Sequence, residues 1–116
     1  MADAIFRHGD PVMIDYTPGA DVEAGDVVTL GNTAGLACGV AHRDIANGQQ
    51  GALAAGGGVY EGVNLNNAAN YVKVWWDSSV DKFTTTSTNN MQFGYVVRGG
   101  GGGANTNCLV LHDPKV

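Results

Sequence analysis

The stretch that most limits the fold is Tyr71-Val72-Lys73-Val74-Trp75-Trp76-Asp77. Tyr71, Lys73 and Trp75 share one side of this run and Val72, Val74 and Trp76 the other. A period of two built from β-branched and aromatic residues predicts a half-buried strand. Ser78-Ser79-Val80-Asp81 turns the chain, and Lys82 to Thr86 is predicted to return as a hairpin partner. Adjacent tryptophans cannot lie on one face of a strand, so at least one belongs to the core. The other either packs in a second layer or stands exposed as an anchor, a role in which Trp is enriched.

The same period recurs along the chain. Pro11 to Thr17 places Val12, Ile14 and Tyr16 opposite Met13, Asp15 and Thr17, a pattern that predicts one buried face. Val27 to Leu30, Gly35 to Ala41 and Val59 to Val63 are further strands, with a short one around Ala52 to Ala55. Met91 to Arg98 is predicted as a strand around Phe93, Tyr95 and Val97. Asn107 to His112 sets Cys108 and Val110 opposite Leu109 and Leu111. Thr17-Pro18-Gly19-Ala20, Ala24-Gly25-Asp26 and Gly31-Asn32 are turns, and Leu65 to Asn70 is a loop or at most one helical turn. Gly99 to Gly103, five glycines in a row, is predicted to be a flexible loop. No segment has a 3.6-residue apolar period.

These features predict an all-β chain: a small single-domain β-barrel or β-sandwich of about eight short strands with Gly-rich turns. The 18 glycines among 116 residues suit the many turns. Residues 1–116 form one domain, since area scaling gives a folded surface of roughly 6,000 Å², enough for a single core. Residues 1–8 are a possible N-terminal arm, or else an edge strand of the same domain.

One internal echo stands out. Asp21-Val22-Glu23-Ala24-Gly25 resembles Asp44-Ile45-Ala46-Asn47-Gly48, 23 residues further on. Two copies are too few for a repeat array, so the segments read as two similar loops in which Asp bonds nearby backbone and Gly closes the turn.

Charge and motifs exclude several chemistries. A net charge of −5 with only six Lys and Arg argues against nucleic acid and against an anionic membrane. No run of 18 apolar residues predicts a spanning helix, and Met1 to Arg7 lacks the pattern of a signal peptide. Gly51 to Gly58 lacks the Lys and Ser/Thr of a phosphate loop, so no nucleotide is expected there. His8, His42 and His112 lack metal spacing and read as surface or interface residues. There is no G-x-S-x-G nucleophile elbow, and Ser78, Ser79 and Ser87 sit in turns without a neighbouring His. No enzymatic activity and no cofactor are expected. Cys38 and Cys108, each within an apolar run, read as two buried thiols.

Gly9-Asp10, Ile14-Asp15-Tyr16-Thr17-Pro18, Asp21 to Val28, Gly39-Val40-Ala41 and Asp44 to Gly48 follow one another in a familiar order. Gly51-Ala52-Leu53-Ala54, Val74 to Asp77, Lys82 to Thr85 and Gly94 to Val97 continue it. In this order and spacing the chain resembles a family of small phage proteins, once of unknown function, read as capsid cement or head decoration proteins. Some carry the label "predicted recombinase", against which the missing phosphate loop argues. Asn64 to Asn70 and Gly99 to Gly103 depart from the family pattern.

The resemblance implies a β-rich, non-enzymatic protein of the virion, on the outer capsid surface, made in the host bacterial cytoplasm. Its implied partners are the major capsid protein and itself, as a homotrimer. Ile5, Phe6 and Arg7 are then the candidate capsid-binding residues, because an arm of this length cannot bury Ile5 and Phe6 alone. The alternative is a receptor- or carbohydrate-binding module of a phage tail or fibre.

Overall fold

The Tyr71–Asp77 run does form a strand, though it starts at Lys73, because Tyr71 has a φ of 69° and breaks the extended backbone. The computed structural model describes residues 4–30 and 37–114. Within them lie ten strands and no helix: β1 (Ile5–Gly9), β2 (Met13–Tyr16), β3 (Val27–Thr29), β4 (Cys38–Ala41) and β5 (Gly51–Ala54), followed by β6 (Gly58–Asn64), β7 (Lys73–Asp77), β8 (Lys82–Thr84), β9 (Met91–Arg98) and β10 (Thr106–His112). The predicted turn at Gly31-Asn32 and the start of the Gly35–Ala41 strand lie outside the described residues.

Two sheets result, so the all-β reading holds and the architecture is sandwich-like. One sheet has six strands in the order β1-β6-β10-β9-β7-β8, and it curls until β8 meets β6 through one parallel pair, Asn64 with Phe83. The predicted hairpin is present, with Trp76 opposite Phe83 and Asp77 opposite Lys82. The other sheet has the order β2-β5-β4-β3. The accessible surface is 6009 Å², close to the roughly 6,000 Å² that area scaling gives for a chain of this mass.

The smaller sheet is a folded ribbon. Met13 to Tyr16 pairs with Ala54 to Gly51, Val22 with Ile45, and Val27 to Thr29 with Val40 to Cys38. One antiparallel register runs through all three segments. The ribbon then doubles over so that β4 pairs with β5, Val40 opposite Ala54. The 23-residue echo falls at the middle crossing, where Val22 and Ile45 exchange both backbone hydrogen bonds, 2.9 and 2.8 Å. Asn47 N–H donates to Asp21 (2.8 Å) and Ala24 N–H to Asp44 (2.9 Å). The two similar loops therefore clasp each other about a local two-fold.

The core between the sheets is aromatic. Trp76, Tyr60, Phe83 and Phe93 are buried and meet largely edge to face: Trp76–Phe83 at 5.0 Å, Phe83–Phe93 at 4.8 Å and Tyr60–Phe93 at 5.9 Å. Each such side chain contributes about 3 kcal/mol by removal from water, and edge-to-face geometry adds to it. Trp76 is the core tryptophan. Trp75 is half-buried on the outer face, with Lys73 Nζ 5.1 Å above its ring. Both cysteines are buried free thiols, as expected.

Three sequence expectations are corrected. On β9, Phe93, Tyr95 and Val97 do not share a face: Phe93 is buried, but so is Val96, while Tyr95 and Val97 are half-buried. Register shifts against β7 and β10 switch the inward side midway along the strand. Gly94 lies at that point, where a Cβ would fall on the Leu111 carbonyl oxygen. His112 is not at the surface but fully buried. The Gly99–Gly103 run is not a free loop, for Gly100 N–H donates to Asn70 Oδ1 and Gly103 N–H to Asn67 Oδ1, each at 2.8 Å. The two stretches that depart from the family pattern are thus laced together.

Candidate functional site

Residues 5–9 form an edge strand, β1. β1 pairs antiparallel with β6, Ile5 opposite Glu61 and Phe6 opposite Tyr60, with a register shift before His8. Ala4 is buried, and its N–H donates to Gly25 O (3.0 Å). The edge-strand alternative therefore describes residues 5–9, and residues 1–3 lie outside the described part.

Each candidate side chain has a definite place. Ile5 and Phe6 remain exposed (40% and 38%) despite the pairing. They border a shallow groove with Gly25, Ala41 and His42. The Phe6 ring lies 4.5 Å from His42. Arg7 is drawn aside, with Nη2 2.6 Å and Nε 2.9 Å from Glu61 Oε1. Glu61 Oε2 also accepts from Asn107 Nδ2 (2.9 Å). An exposed pair of this kind contributes at most about 1 kcal/mol, but it fixes the guanidinium against β6.

Beneath Phe6 runs a polar thread. Burial raises the Tyr60 hydroxyl and lowers His42 from their ordinary pKa values, so both are neutral where Tyr60 Oη and His42 Nε2 share a hydrogen bond of 2.6 Å. Deeper, His112 Nε2–H donates to the Cys38 carbonyl (2.8 Å), while His112 Nδ1 has no partner among the described residues. Desolvation lowers the His112 pKa to about 4, so the ring is neutral at pH 7. Desolvation holds the Cys108 thiol up at about 11 and raises Cys38 further still, so neither thiol is a ready nucleophile. Among the described residues, no three His, Cys, Asp or Glu side chains are placed to hold a metal ion.

A second set of residues was missed by the sequence reading. Val12 and Ile14 were expected on a buried face, yet Val12, Met13 and Ile14 are all exposed, at 65%, 44% and 37%. β2 is the last strand of its sheet, and while Tyr16 packs on the Ala41–Ile45–Leu53 cluster, Met13 and Ile14 leave apolar surface exposed on both faces. Pro11 was the available signal, since proline at the start of a strand marks an edge. Of the eight large apolar side chains exposed among the described residues, five fall within residues 5–14. Met13 borders a groove with His42, and Phe6 packs on His42, so the two edges join at this histidine.

A family model described as phage cement protein matches residues 6–111. No curated protein and no solved structure matches the chain.

Proposed function

The chain belongs to the phage cement protein family, and from that premise we propose that it binds the outer surface of a tailed-phage head and stabilises the assembled shell. Its partner is the major capsid protein, it acts without catalysis or cofactor, and it reaches the virion from the host cytoplasm. The observation that supports this most is the crowding of exposed apolar residues at 5–14, with Ile5, Phe6 and Met13 around His42. Exposed apolar patches mark sites covered by partners. Arg7 takes part through the ion pair that positions it, not as a free charge. Self-association as a homotrimer fits the role, because a closed ring offers identical patches to repeated shell sites and many copies make modest contacts sufficient.

The test is to count and locate copies in a cryo-EM map of the virion, with light scattering on the isolated protein. Hundreds of copies on the outside of the head, grouped in threes, are the expected result. A handful of copies confined to tail or fibres would sink the reading.

A further inference from the structure

We propose that the docking edge is β2, and that it takes up an extended, positively charged segment of the shell protein as an added strand; this rests on the shell-binding reading above. Strand addition needs an edge with open backbone groups and side chains ready to be covered. β2 ends the four-stranded sheet, and Met13 and Ile14 expose apolar surface on its two opposite faces. An edge of this kind invites pairing unless it is charged or covered. β1 is a poorer template, because a register shift between Phe6 and His8 interrupts it.

Charge selects the occupant. The β2 segment itself is acidic, with Asp10 before it and Asp15 within it, neither side chain having a hydrogen-bond or ion-pair partner among the described residues, while Arg43 and Asp44 lie together along the groove beside Met13. Residues 10–54 hold Asp10, Asp15, Asp21, Glu23, Asp26 and Asp44 against Arg43 alone. This segment therefore accounts for the whole net charge of −5, and the rest of the chain is balanced. A second copy pairing β2 to β2 would set acid against acid, and like charges across a strand pair are destabilising. A basic strand instead finds Asp15 for its cation and Met13 and Ile14 for its apolar side chains.

The experiment uses shells of the parent phage stripped of this protein, the full chain, and the double variant Asp10→Lys/Asp15→Lys. Both aspartates are exposed, and the variant should melt with the wild type. Wild-type binding should weaken as salt rises, and the variant should bind about tenfold less well or worse at low salt. Amide exchange at residues 13–16 should slow on shells. Equal binding by the variant, or unchanged exchange at 13–16, overturns the β2 proposal while leaving shell binding intact. A change in oligomeric state of the variant without shells would make a second copy the occupant and overturn it too. Failure of the wild type to bind at all would instead remove the proposed function.

Discussion

Asp21 and Asp44 close each other's loops: Asp21 accepts from the Asn47 N–H, and Asp44 from the Ala24 N–H, on either side of the Val22–Ile45 bridge. Each carboxylate satisfies a backbone donor that the ribbon's own pairing leaves over. Asp21→Ala and Asp44→Ala should each destabilise by about 1 kcal/mol, the usual net worth of such a bond. Because both act on one crossing, the double variant should depart from additivity. Asp44→Asn, which keeps an acceptor oxygen, should lose less. Urea unfolding of the wild type and the four variants measures this, and strict additivity would count against the clasp.

Stability should depend on pH through His112. Its folded pKa is about 4 against an ordinary 6.5. Between these values the unfolded chain takes up a proton that the folded one refuses. The contribution is therefore complete above about pH 6.5 and is lost as pH falls towards 4, by about 3 kcal/mol in all. His42, also lowered, acts in the same sense. An NMR titration placing the His112 midpoint near 6.5 would refute this.

Gly94 should tolerate no side chain. A Cβ there meets backbone, which cannot swing away, so Gly94→Ala should cost about 3 kcal/mol or more. Gly101 has open space around it and a φ of 76°, so Gly101→Ala should cost only about 1 kcal/mol. Thermal melts of the two variants should separate clearly, and near-equal losses would contradict the packing described.

Removing residues 2–8 should lower stability markedly. The deletion takes away the β1–β6 pairing, the buried Ala4 and the Arg7–Glu61 pair. A loss of about 2 kcal/mol corresponds to a melting temperature lower by roughly 8 °C. Ile5→Asn, by contrast, should melt nearly as the wild type while reducing shell occupancy. An unchanged melting temperature on deletion would restore the free-arm reading.

Much of the architecture was legible because alternation reports strands directly. Met91–Arg98 was placed to the residue, and the Trp75-Trp76 step correctly gave one inward tryptophan. What alternation cannot report is which strand lies at an edge. Val12 and Ile14 alternate like core residues, yet at the β2 edge they stay exposed, at 65% and 37%. Nor does it report bulges, which is why the inward side of β9 was misassigned beyond Phe93. His112 looked polar, and only the topology reveals a strand that carries it beneath Tyr60 and Phe93. At the candidate site, Ile5 and Phe6 were singled out by their position ahead of the first clear strand, and they are exposed. His42, which joins them to Met13, comes from a distant loop and left no local signal.

The lacing of Asn67 and Asn70 to the glycine run has an evolutionary consequence. An extra residue between Asn67 and Asn70, or between Gly100 and Gly103, changes the spacing at which both bonds form at once. The two stretches are therefore expected to change length together, since a change on one side alone gives up these bonds. A peptide grafted into the glycines for surface display would disturb both, so the run that looks like a spare linker is a poor place to insert one.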